Sequence, residues 1–138
     1  MPDAAPAVAT TVVELRVSYA EVDKMGVVYY GNYLRWFELG RAEYLRARGR
    51  PYKEIEAEGL FLPVVEAYAR YREPAHYDDL VEVRTSPREV GQVRVTFAYQ
   101  VVRKSDGALL VEGRTVHCCV GAKGRPRRMP ADLLALLR

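Results

Sequence analysis

Few residues in this sequence are both able to do chemistry and spaced for it. Ser18, Ser86 and Ser105 have no histidine at a useful separation, and there is no Gly-x-Ser-x-Gly elbow. A P-loop and a Gly-x-Gly-x-x-Gly turn are also missing. His76 and His117 stand far apart, without the thiolates or carboxylates that a metal site would need at ligand spacing, so no metal is expected. His117 falls within a strand pattern and reads as structural; His76 reads as a surface turn residue. Asp23 is different. It lies in YAEVDKMGVVYYGNY (19–33), just before a helical pattern begins, among apolar and aromatic neighbours. Such an acid is either a turn-forming loop residue or a carboxylate held beside the free N–H groups of a helix start. Those groups carry partial positive charge and suit a developing oxyanion. In the second arrangement the pair is equipped for acyl transfer.

The elements that must position Asp23 can be read from periodicity. Residues 11–19 alternate, with Val13, Leu15, Val17 and Tyr19 on one side, as in a half-buried strand. From Tyr30 onward, Tyr33, Leu34, Phe37, Arg41, Tyr44, Leu45 and Arg48 follow helical spacing. Gly31 or Asn32 begins this helix and Gly49 before Arg50-Pro51 ends it, a length of roughly 17–19 residues. Gly40 sits at its middle, where glycine costs about 1 kcal/mol against alanine, so a backbone or sheet should pack close there. A short helix is expected over 51–59, then strands over 60–73, 79–87, 93–101 and 108–120. Asp106-Gly107 signals a type I′ hairpin, and a short helix follows Pro130. The prediction is an α+β domain over 11–138 with an antiparallel sheet, behind a flexible lead-in over 1–10. One long helix covers one sheet face, so a second subunit should cover the other face or an edge.

Composition narrows the classes further. At 138 residues, with 49 % hydrophobic and 28 % charged residues, the chain is sized and composed like one globular domain. No apolar run approaches the roughly 18 residues of a membrane helix, and the first residues do not read as a secretory signal. Cys118 and Cys119 are adjacent and point to opposite faces of a strand, so a mutual disulfide is not expected and a reducing cytoplasm is. A formal net charge of +3 is too small to imply nucleic acid.

YAEVDKMGVVYYGNYLRWFELGRAEYLR (19–46) resembles the signature of the 4-hydroxybenzoyl-CoA thioesterase-like, hotdog-fold acyl-CoA thioesterases. The match runs through Asp23, Gly26, Val28, Tyr33, Trp36-Phe37, Arg41 and Glu43, then Tyr71, Pro74, Ala75 and Asp79. The resemblance implies an antiparallel sheet of about five strands wrapped around a long helix. It also implies a homodimer with a continuous sheet, in many relatives a homotetramer, and acyl-CoA as substrate without a separate cofactor. On that basis Asp23 is the acidic catalyst, as nucleophile or general base, and the N–H of Tyr30 or Gly31 polarises the thioester. Gly26, Val28, Tyr29 and Tyr33 belong to the substrate site, although aromatic residues at helical spacing also suit a core. Where one subgroup has a histidine after the first tyrosine, this chain has Tyr30. Coenzyme A phosphates would be met by Arg88, Arg94, Arg125, Arg127 and Arg128, or those arginines are a solvated surface. A rival hydratase would need a histidine across the site, and a non-catalytic acyl-CoA sensor would not need Asp23. Glu38 and Glu43 read as structural.

Overall fold

The structure is a computed structural model and describes residues 9–138. Five strands, β1 (Thr11–Arg16), β2 (Val64–Tyr71), β3 (Leu80–Arg88), β4 (Arg94–Arg103) and β5 (Leu109–Cys118), form one antiparallel sheet in the order β1-β3-β4-β5-β2. The long helix α1 (Asn32–Ala47) lies across one face; α2 (Tyr52–Ala57) and α3 (Ala131–Leu137) are short. This is the hotdog arrangement that the motif implies. The expected lead-in over 1–10 falls almost wholly outside the described residues; Ala9 and Thr10 are exposed and irregular.

Alternation along the strands sorts the sheet into two faces. The inner face presents Val81, Val83, Val95, Phe97, Tyr99, Val101 and Val111, all buried against Trp36, Phe37, Tyr44 and Leu45 of α1. Phe37 stacks on Tyr99 with ring centroids 4.3 Å apart. The helix stops in a Schellman motif: the Gly49 N–H bonds the Arg46 carbonyl, the Arg50 N–H bonds the Leu45 carbonyl, and Gly49 has φ +84°. Edge strand β2 is exposed along most of its length, including Val64, Val65, Tyr68 and Tyr71.

Three local expectations are corrected. The strand expected over 11–19 ends at Arg16, because the chain turns into a 3-10 segment at Tyr19–Glu21. The stretch over 60–73 is regular only from Val64, with Phe61 making an isolated bridge to Val120. The Asp106-Gly107 connection is not a type I′ turn. Only Gly107 has positive φ there, and the turn closes from the Gly107 N–H to the Arg103 carbonyl at 2.8 Å. Asp106 stabilises this wider loop by accepting the Ala108 N–H at 3.0 Å and the Arg103 guanidinium at 2.8 Å.

Gly40 is where helix and sheet come closest. A Cβ there would stand 2.2 Å from Thr85 Oγ1 and 3.1 Å from Val83 Cγ1. Helix propensity alone makes Gly40→Ala stabilising by about 1 kcal/mol. Overpacking reverses the sign, and the variant should be less stable than wild type by about 1–3 kcal/mol in urea unfolding. A gain in stability would show that the helix shifts away from β3 without cost.

Candidate active site

The segment between β1 and α1 is held by one buried carboxylate. Glu21 follows Ser18 in a capping box, its Oε1 accepting the Ser18 N–H at 2.8 Å. Its Oε2 accepts the Trp36 indole N–H at 2.9 Å and Arg35 Nη2 at 2.5 Å. Its carbonyl accepts the Tyr29 N–H and the Asn32 amide, both at 2.9 Å. The loop is thereby drawn back onto the first turns of α1. Burial alone would raise the Glu21 carboxyl, but the Ser18 and Trp36 hydrogen bonds and the Arg35 charge outweigh it and hold the group below 4.5.

Between Glu21 and Tyr29 the chain forms a small hairpin. Val22 bridges to Val28, and Val27 bridges to His76. Asp23 stands at its tip, its N–H bonded to the Val27 carbonyl at 2.8 Å and its carbonyl accepting the Gly26 N–H at 3.0 Å. The Asp23 carboxylate is exposed and accepts the Met25 N–H at 2.8 Å, with no ion-pair partner among the described residues. Gly26 has φ +81°, which explains a glycine there by backbone conformation; it lines none of the cavities described here.

No side chain caps α1. The N–H groups of Tyr30 and Gly31 donate to no protein acceptor among the described residues, whereas those of Asn32, Tyr33 and Leu34 are used in the first turn. Beside this helix start lies a cleft of about 220 Å³ lined by Val28, Tyr30, Tyr33, Tyr71, Pro74 and the charged pair of neighbours Arg72 and Glu73; Asp23 is not among its lining residues. The Tyr71 ring lies 5.6 Å from Tyr33 and 6.2 Å from Tyr30. Tyr33 is both core and wall: it is buried, and its hydroxyl accepts the Ala75 N–H at 3.1 Å. Tyr29 is exposed beside Tyr30 and lies outside the cleft. Val28, Tyr30, Gly31 and Tyr33 thus gather at the helix start.

The basic residues expected to meet phosphate collect elsewhere. Arg88 and Arg94 flank the β3–β4 turn, and the exposed segment carrying Arg125, Arg127 and Arg128 is tied beside it through Met129 N–H to Gln92 O at 2.8 Å. The Asp23 hairpin meets the opposite end of the sheet, through the Val28 N–H bond to Ala75 at 2.9 Å. Within one chain the two groups are not brought together. Arg94 is also paired with Glu66 at 3.3 Å.

His117 is fully buried and sits at the end of a polar chain through the core. Arg41 donates to the Tyr99 hydroxyl at 3.5 Å, Tyr99 to Thr115 at 2.6 Å, and Thr115 to His117 Nε2 at 2.8 Å. Nδ1 then donates to the Leu62 carbonyl at 2.8 Å. Burial pushes the ring down to about 4, so it is neutral near pH 7. With both nitrogens engaged, His117 is placed as a structural residue and not as the acid or base of a hydratase. It does line a second cavity of about 200 Å³ together with Glu38, Arg41, Tyr52 and Phe97. Glu43 is paired with Arg46 at 3.0 Å. Among the described residues no cluster of three His, Cys, Asp or Glu could hold a metal, and no helix is long and apolar enough to cross a membrane.

Residues 17–137 match the family model described as the thioesterase-like superfamily. The acyl-CoA thioesterase YbgC of Haemophilus influenzae is 33 % identical over 124 residues, covering 88 % of this chain and 89 % of that protein. Among solved structures, the Thermus thermophilus protein TT1821 is 40 % identical with a TM-score of 0.87, over 91 % of this chain and 95 % of that one. The DHNA-CoA thioesterase of Staphylococcus aureus is 32 % identical with a TM-score of 0.83, over 86 % of this chain and 80 % of that one.

Periodicity did not single out Glu21, although Ser18-x-x-Glu21 is a capping-box spacing. Its folded carboxyl lies below its unfolded value, so its stabilising effect is present above about pH 4.5 and is lost as pH falls through the folded value. Glu21→Gln, which resembles the protonated acid, should destabilise the protein by about 1–2 kcal/mol at pH 7. The gap to wild type should be narrower at pH 3 than at pH 7 in urea unfolding. A gap that is equal at both pH values would remove the charge from the account.

Proposed function

Because this chain belongs to the thioesterase-like superfamily and to its acyl-CoA thioester hydrolases, we propose that Asp23 and the α1 start form its catalytic centre. The Tyr30 or Gly31 N–H holds the thioester carbonyl oxygen and stabilises the negative charge that develops on it. The Asp23 carboxylate either attacks the carbonyl carbon or takes a proton from an attacking water. In both routes the carbon–sulfur bond breaks and the sulfur leaves as the coenzyme A thiolate; after direct attack, water then hydrolyses the mixed anhydride on Asp23, releasing the free acid and restoring the carboxylate. With a thiol pKa of about 8.5, by analogy with Cys, that leaving group needs no strong general acid. The observation that carries the reading is the pair of undonated N–H groups at an uncapped helix start, beside a cleft walled by Tyr30, Tyr33 and Tyr71.

The proposal places the enzyme in the cytoplasm, where Cys118 and Cys119 stay reduced. It also makes the working form a homodimer. The exposed β2 edge, with Val64, Val65, Tyr68 and Tyr71, is the surface a second copy would extend as a continuous sheet. An antiparallel pairing of two β2 edges would set the Arg88, Arg94, Arg125, Arg127 and Arg128 end of one copy beside the Asp23 end of the other. Those arginines would then meet coenzyme A phosphates across the interface.

Asp23→Asn keeps the turn's hydrogen-bonding capacity and removes the charge. Its kcat, read by thiol release over a series of acyl-CoA thioesters, should fall by at least about 10²-fold with the fold intact. A folded variant within a few-fold of wild type would remove Asp23 from the mechanism. Light scattering should give at least twice the 15.6 kDa chain mass at micromolar concentration, and a stable monomer would contradict the dimer.

A further inference from the structure

The two N–H groups left free at the start of α1, those of Tyr30 and Gly31, lie between two residues tied to one and the same atom. The Glu21 carbonyl oxygen accepts the Tyr29 N–H at 2.9 Å and the Asn32 side-chain amide, from Nδ2, at 2.9 Å. Asn32 also donates its own N–H to the Tyr29 carbonyl at 2.9 Å, which closes a ring over residues 29–32. Asn32 is the first residue of the helix, yet its side chain caps nothing there and reaches back eleven positions to Glu21. Helix formation does not require an amide at this place.

A trans peptide N–H points opposite to the carbonyl of the residue before it, in the same plane. The direction of the Tyr30 N–H is therefore set by the Tyr29 carbonyl, and that of the Gly31 N–H by the Tyr30 carbonyl. The first is held by the Asn32 N–H at 2.9 Å, the second by the Tyr33 N–H at 3.3 Å. Holding both carbonyls along the helix aims the two N–H groups outward from its start. Position 31 adds little stiffness of its own. A Cβ there would stand 3.1 Å from the Tyr29 ring, and the glycine that avoids this contact is the least restrained residue type. The turn therefore relies on the Asn32 tie to stay in one geometry.

We propose that Asn32 is a positioning residue for thioester hydrolysis, fixing the Tyr30 and Gly31 N–H groups in the direction where negative charge develops. This rests on the reading of the α1 start as the oxyanion site. Asn32 does not line the tyrosine cleft, so it acts through the backbone and not on the substrate. Oxyanion donors work because they are oriented before the reaction, and their grip tightens as charge builds on the oxygen. An interaction stronger in the transition state than in the ground state raises kcat more than it lowers KM. The helix itself gains nothing by propensity from Asn32, because alanine and leucine are both better helix formers than asparagine.

Asn32→Ala and the near-isosteric Asn32→Leu each remove the amide and keep a helix former. In the full chain, both should lower kcat for acyl-CoA hydrolysis by about 10- to 100-fold and leave KM within about threefold of wild type. A second readout is the infrared carbonyl stretch of a carbonyl-labelled acyl-CoA bound to Asp23→Asn, where turnover is slow. Donors that grip the oxygen lower that frequency, and adding Asn32→Ala should return it toward the value of the free thioester. Arg46→Ala, which breaks the exposed pair with Glu43 in the later turns of α1, should change neither readout. A folded Asn32 variant with kcat within about twofold of wild type, a raised KM at unchanged kcat, or an unmoved carbonyl frequency overturns the assignment. Should Asp23→Asn hydrolyse within a few-fold of wild type while Asn32→Ala is slow, Asn32 keeps its role and Asp23 loses its own. No hydrolysis of any thioester by wild type removes the catalytic-centre reading, and the assignment of Asn32 with it.

Discussion

The Glu21 carboxylate sits where the strand, the loop and the long helix meet, and the geometry of the candidate site depends on it. Its two oxygens take bonds from Ser18, Trp36 and Arg35, and its carbonyl takes two more from Tyr29 and Asn32. Burying a carboxylate is costly unless it is paired and hydrogen-bonded. Here that requirement becomes a positional constraint, because Glu21 is satisfied only if the loop returns to the first turns of α1. The same return leaves the Asp23 hairpin projecting and the helix start uncapped.

A second constraint comes from the closeness of helix and sheet. Gly40 admits the β3 side chains of Val83 and Thr85, and at Gly113 a Cβ would meet the Phe37 ring at 2.7 Å and the Tyr68 carbonyl at 2.4 Å. The Phe37–Tyr99 stack then fits flat between α1 and β4, with an interplanar angle of 4°. Below it, the directional chain from Arg41 through Tyr99, Thr115 and His117 to the Leu62 carbonyl satisfies polar groups that burial would otherwise penalise. The interior is therefore specified by shape and by hydrogen bonding together, and its histidine is committed to the fold.

The two sheet faces consequently have different chemistry. The inner face is consumed by packing. The outer face is free to carry charge, and its arginines come from strands far apart in sequence that register brings into neighbouring rows. Edge strand β2 belongs to both stories, with Tyr71 reaching the helix start and Arg70 the opposite face.

The sequence by itself determined the strands' alternation, the span of α1 and its stop at Gly49, and the need for a close approach at Gly40. It also marked Asp23 and the helix start through their motif. These features depend on residues within a few positions of one another, where backbone period and turn chemistry act directly. Only the tertiary structure decided that Glu21 would bond Arg35 and Trp36. It also decided that Arg125, Arg127 and Arg128 would stand at the sheet end away from Asp23, and that Arg70, Arg84, Arg88 and Arg114 would share one hollow on the outer face of the sheet. Those outcomes follow from strand order and register, which are set by how the whole apolar face is buried, and local spacing carries no trace of them.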